Sequence, residues 1–413
     1  MYPSDMASWV PDVLMVSFVC FLSLSHTDQA KTNWELTRKE NSRFEQQLIN
    51  LKKSAIKSIH EDGDIYECID FYKQPGFNHP FWKNTTIQMK LKLFMDAMKT
   101  KTSTLSSNIG LKSGGCPYGT VPIMRVDEDD LARLKINSKI YLRPNMDEEP
   151  GYHYAILGTK PDPTRKIDGI QAFFSNFLPK GVDGSQYSSF RMTLSNGLDS
   201  LKAGFMVNPL LFKDDKIRLF THLVMDGRTQ CFNQQCPGYI QLSSQIPLGW
   251  PLQNISIAGG EQYATKLRLV KDYISTSWPS TSTELMWKLL LNEESVAIGF
   301  WPTTIFGQLS EFGNEADWGG EVYSPLDQSS PAMGTGIRPR WKKWDPNYSA
   351  HSRLVAIAYG GNSQSEFINP NDAEVYESDP KSYSILDIGY VKNENIGRVI
   401  IYDGPGGLIK PSA

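Results

Sequence analysis

The sequence predicts a mainly β protein: a C-terminal antiparallel β-sandwich of jelly-roll or lectin-like type, behind a helix-led, mixed α+β N-terminal segment. Three observations carry this. From about residue 152 onward, short runs rich in β-branched and aromatic residues recur (170–174, 218–225, 239–243, 296–301, 354–359, 383–391 and 398–402), punctuated by Gly, Pro, Asn and Asp. Val296, Ile298 and Phe300 alternate with Ala297 and Gly299, the period of a strand with one buried face. Before that region, Phe44, Leu48, Leu51, Ala55 and Ile59 recur at three- and four-residue spacing, which predicts an amphipathic helix over 32–60.

In chain order, an apolar run at 13–24 (VLMVSFVCFLSL) suits the core of a signal peptide and is too short to cross a bilayer, although Asp5 and Asp12 stand where positive charge is expected. Residues 1–30 are read as a leader, and the mature chain as secreted. The stretch 89–101 is a strand or short helix, and 102–115 a Ser/Gly-rich loop. Residues 127–134 (DEDDLARL) start a helix with acidic residues in its first turn. The acidic, proline-containing 145–151 is the expected boundary and a place for a protease to cut, dividing the chain into 31–150 and 151–413. Residues 282–291 are helix or strand. No internal repeat of fixed period is evident.

With 413 residues the chain can bury a sizeable core, and its net charge of −3 gives no basic surplus for nucleic acid or an anionic membrane. Aromatics reach 11%, which suits sheets with an aromatic-lined cleft. Of five cysteines, Cys20 leaves with the leader. Cys231 and Cys236, close together beside turn-prone residues, are paired, which leaves Cys68 for Cys116; the longer loop is worth about 4 kcal/mol. No further ligand pair accompanies them, so neither metal nor cofactor is expected. Sequons at Asn84, Asn254 and Asn347 fit the same oxidising compartment.

Several chemistries are missing. There is no Gly-x-Ser-x-Gly elbow, Walker loop, dinucleotide fingerprint or His-Glu-x-x-His. His222 lies in a strand-like run and reads as a packed residue rather than a ligand or base. With the mature cysteines in disulfides, carboxylates remain for catalysis.

A set of strings then appears in order: YECIDFYKQP (66–75), His79-Pro80, Asn84, TIQMK (86–90), CPYGTVPI (116–123), AGFMV (203–207), RLF (218–220), CFN (231–233), CPGY (236–239), GFWP (299–302) and WGGEV (318–322). Together they resemble the neprosin family of plant glutamic endopeptidases over residues 60–405. The resemblance implies two stacked antiparallel sheets with a cleft that takes an extended peptide or protein. It also implies a pro-segment (31–150) that occupies the cleft until removed, an acidic working pH, cleavage next to proline, and an apoplastic or vacuolar location. Two glutamates would face each other across the cleft, one activating water and the other acting as the acid, because two close carboxyls cannot both ionise.

The chain departs from the family at the first of these. The family's Ile-Glu-Ala-Gly-Trp string is here Leu201-Lys202-Ala203-Gly204-Phe205, so Lys202 takes the place of a catalytic Glu, while the second maps onto Glu321. Arg191 falls near a lost family Gln. A family cysteine is replaced near Ser382, and 278–283 is an insertion. Alternation with Leu201 and Ala203 sends Lys202 to the opposite face. An ammonium about 4 Å from Glu321 would attract it by roughly 4 kcal/mol at an effective dielectric of about 20. That holds Glu321 as a paired carboxylate and predicts an impaired peptidase or pseudoenzyme that acts by binding. Two other readings stand beside it: an active peptidase recruiting Glu261, Asp226 or Asp317 as second carboxylate, and a carbohydrate-binding β-sandwich. Without the resemblance, Glu321 would read as a solvated turn residue after Gly319-Gly320.

Overall fold

Asp62 and Gly63 both adopt positive φ, 52° and 91°, and pair Glu61 with Asp64 across a two-residue turn. This is the Asp-Gly hairpin geometry whose twist matches that of the strands it joins. It corrects the helix expected through residue 60. The last helical turn is Leu51–Ser54, and Ala55–Glu61 is a strand, β1, paired with β2 (Asp64–Asp70). The four-residue step from Ala55 to Ile59 keeps one face in either a helix or a strand, so the turn decides the outcome. β3 (Thr120–Met124) completes a three-stranded sheet in the order β1-β2-β3.

The computed structural model describes residues 46, 49–83, 109–141, 150–227, 229–236, 238–274, 284–292, 296–339, 345–360 and 366–408. The leader, the helix expected before residue 46, the 89–101 stretch, Asn84 and the 278–283 insertion lie outside the described residues. No helix among the described residues is long and apolar enough to cross a membrane. The helix expected from residue 127 is Glu128–Tyr141. Asp127 caps it reciprocally: the Asp130 N–H donates to Asp127 Oδ1 at 2.7 Å, and the Asp127 N–H to Asp130 Oδ2 at 2.9 Å.

The remaining strands are β4 (Tyr152–Thr159), β5 (Gly169–Ser175), β6 (Tyr187–Asn196), β7 (Asp199–Val207), β8 (Arg218–Met225), β9 (Thr229–Phe232), β10 (Ile240–Gln241), β11 (Ala264–Ile274), β12 (Glu284–Leu291), β13 (Val296–Pro302) and β14 (Glu315–Tyr323). They continue with β15 (Ser329–Ser330), β16 (His351–Ala358), β17 (Phe367–Ile368), β18 (Ala373–Glu377), β19 (Ser384–Val391), β20 (Gly397–Asp403) and β21 (Gly407–Leu408). The fold is mainly antiparallel β, as predicted, and the ambiguous 282–291 stretch carries the strand β12.

Seven strands form one sheet in the order β18-β4-β14-β6-β7-β8-β9; nine form the other, β10-β13-β12-β11-β5-β16-β20-β19 with β17 beside β16. Period-two alternation joins them. Phe190, Met192, Leu194, Leu201, Ala203, Phe205, Trp318 and Val322 of the seven-stranded sheet share one apolar core with Ile170, Phe174, Leu267, Leu269, Trp287 and Ile298 of the nine-stranded sheet. Trp301 and Trp318 both belong to this core. The N-terminal segment adds to it through Ile59, Tyr66 and Cys68 of its sheet and Cys116 of the loop before β3. Disulfides join Cys68 to Cys116 and Cys231 to Cys236. Of the other sequons, Asn347 is exposed and Asn254 half-buried.

Candidate functional site

The alternation that sends Leu201, Ala203 and Phe205 into the core turns Lys202, Gly204 and Met206 to the other face of the seven-stranded sheet. On β14 the same rule turns Asp317, Gly319, Glu321 and Tyr323 to that face, and on β6 it turns Tyr187, Ser189, Arg191 and Thr193. Strand register completes the array: Thr193 stands beside Asp317 on one side and Lys202 on the other, and His222 of β8 stands beside Lys202.

Glu321 is the hub, 1% exposed. Lys202 Nζ lies 2.8 Å from its Oε2 and 3.1 Å from its Oε1. Arg191 Nε donates to Oε2 at 2.9 Å, and the Tyr187 hydroxyl donates to Oε1 at 2.6 Å. Arg191 also forms an ion pair with Asp317 through Nη1. Two cations therefore meet two carboxylates on one buried face, with Arg191 shared between both acids. Charge-assisted bonds of this kind satisfy groups whose burial would otherwise be costly.

The backbone makes room for Arg191. In register it lies between Gly319 of β14 and Gly204 of β7. A Cβ on Gly204 would sit 2.3 Å from the Phe190 carbonyl oxygen and 2.6 Å from Arg191 Cα, and Gly319 has a φ of +143°. Glycine is the residue that tolerates both demands.

The structure thus brings Lys202 and Glu321 into direct contact and adds Arg191 to them. Of the three alternative carboxylates, Asp317 shares the face, but Arg191 stands between it and Glu321. Asp226 sits in the β8–β9 turn, its N–H bonded to Asp199, and Glu261 lies exposed in a loop with the Tyr263 hydroxyl on it. His222 is buried on the site face, with Nε2 2.9 Å from Gln230 Oε1 and its ring 4.5 Å from that of Phe232. Sequence reasoning missed Tyr187. Its signal was the period-two step back from Arg191, four residues along β6. Tyr187 also continues an aromatic row, its ring 5.9 Å from Tyr323, which in turn lies 4.8 Å from Tyr152. Met206, Phe212, Phe220 and Phe232 cluster with Tyr187, so the ionic array has an apolar flank. Among the described residues no group of His, Cys, Asp and Glu is arranged to hold a metal ion.

Two solved structures show distant likeness. The scytalido-glutamic peptidase with a peptide-based transition state analog is 11% identical over 62% of this chain and 98% of that one, with a TM-score of 0.30. SCP-B, a member of the eqolisin family of peptidases in complex with a tripeptide, is 10% identical over the same shares, with a TM-score of 0.29. The family models are decisive: the neprosin activation peptide matches residues 55–157, and the neprosin model matches 184–405, more than half of the chain. The protein belongs to the neprosin family.

Proposed function

We propose that this neprosin-family protein holds an extended peptide on the ionic face of its seven-stranded sheet and hydrolyses it poorly or not at all. The observation that carries the reading is the Lys202 ammonium 2.8 Å from Glu321 Oε2. Glutamic-peptidase chemistry needs one carboxylate to take a proton from water and one carboxyl to give a proton or polarise the scissile carbonyl. Here Glu321 has the first role available, but its lone pairs are engaged by Lys202, Arg191 and Tyr187. Lysine at position 202 supplies no acidic carboxyl. Asp317 does not replace it, because Arg191 separates the two acids and they share no proton. The half-buried rings of Tyr152 and Tyr323 at the end of the aromatic row would accept side chains of a bound segment, proline rings included. Two disulfides and an exposed sequon at Asn347 are consistent with secretion.

The test is an assay of the chain, after cleavage of its N-terminal segment, on a proline-containing peptide between pH 3 and 6. It is run beside a Lys202→Glu, Arg191→Gln variant that rebuilds a two-carboxyl site. The variant is expected to hydrolyse about a hundredfold faster, the lower end of what positioned acid–base catalysis contributes. Equal, robust hydrolysis by both would sink the reading.

A further inference from the structure

Residues 55–83 and 109–126 pack closely against β8, β10 and the loop that follows β10. Trp82, fully buried, donates Nε1–H to the Gly238 carbonyl at 2.9 Å and meets the Phe300 ring edge-on at 5.6 Å. The Gln74 side-chain amide pairs with the main chain of β10 at two points: Nε2 donates to Gln241 O at 3.0 Å, and the Gln241 N–H donates to Oε1 at 2.8 Å. Gly76 comes so close to β10 that a Cβ there would lie 1.9 Å from the Tyr239 carbonyl oxygen. The Leu111 N–H donates to Gln245 O at 2.9 Å and the Cys116 N–H to Ser244 O at 2.8 Å. Buried Arg218 of β8 holds Asp64 of β2 at 2.7 Å, together with Asp214 and the Gly249 carbonyl.

Stripping this segment away would open the shared apolar core at Ile59, Tyr66, Cys68, Leu111 and Cys116. It would also remove hydrogen-bond partners from Gly238, Gln241, Ser244 and Gln245, and one carboxylate from Arg218. A plug that only fills a cleft leaves no such damage behind. We infer that the N-terminal piece stays bound to the sandwich as a noncovalent subunit after the chain is cut between the helix Glu128–Tyr141 and β4, so that the processed molecule has two chains. The disulfide Cys68–Cys116 holds the piece together across the interval it spans. The inference does not depend on whether the ionic face hydrolyses peptides.

The test uses the full chain with a site-specific protease sequence inserted between Glu148 and Glu149. After cutting, the sample passes over a size-exclusion column at neutral pH without reductant. Both pieces are expected to elute together at the position of the uncut chain. A Gln74→Ala, Trp82→Ala version of the same cut protein should separate at least tenfold faster. Separate elution of the two pieces of the unsubstituted protein would overturn the inference, and so would an unchanged rate of separation in the substituted one.

Discussion

Glu321 and Asp403 are two carboxyls buried to nearly the same degree, 1% and 0% exposed, and their surroundings could hardly differ more. Glu321 touches an ammonium and a guanidinium. Asp403, at the end of β20 in the other sheet, accepts from neutral donors: the Gly336 and Ala350 N–H groups at 3.0 and 2.9 Å and the Thr335 hydroxyl at 2.8 Å. Burial outweighs those bonds and pushes the Asp403 carboxyl up to about 7. A carboxyl that keeps its proton through the acidic range therefore exists in this molecule, but it stands in the wrong sheet to serve Glu321.

The contrast between the two acids is open to attack first at Asp403, where substitution should change most. Because the folded value of Asp403 lies above its unfolded one, its stabilising contribution is full below about pH 4 and is lost as pH rises through about 7. The stability of the wild type minus that of Asp403→Asn, from urea melts, should fall by about 4 kcal/mol between pH 4 and pH 8. Taking the difference removes opposing contributions from His153 and His351. Burial lowers both, so each costs stability on acidification. A flat difference curve would show that Asp403 is not held neutral.

Next comes Glu321→Gln, which leaves Lys202 and Arg191 buried with one acid between them. It should cost about 3 kcal/mol in the same melts. A cost below about 1 kcal/mol would mean the ion pairs are open to water. The smallest effect is that of Tyr187→Phe, about 1.5 kcal/mol for one bond to a charged acceptor. If that substitution instead raises hydrolysis while leaving stability unchanged, Glu321 is held less firmly than the geometry implies.

Much of this was legible beforehand because sheets obey a period of two. Leu201 and Ala203 on either side of Lys202 fixed its face, and the runs beginning near residues 170, 218, 296 and 398 all fall on strands. Two features escaped for physical reasons. A four-residue apolar step is an even number, so it could not separate a helix from β1, and the Asp62-Gly63 turn that decides the matter went unread. The ionic array is a property of strand register: nothing local in the sequence says that Tyr187 and Arg191 of β6 converge on Glu321 of β14, or that Arg191 also reaches Asp317.

By standing against β10 as a neighbouring strand's peptide group would, the Gln74 amide closes one end of the nine-stranded sheet. A molecule without it would offer bare N–H and C=O groups at that flank, an invitation for a second copy to add on and for the material to come out of solution. The same glutamine thus occupies the hydrogen-bonding groups of β10 that an incoming strand would need.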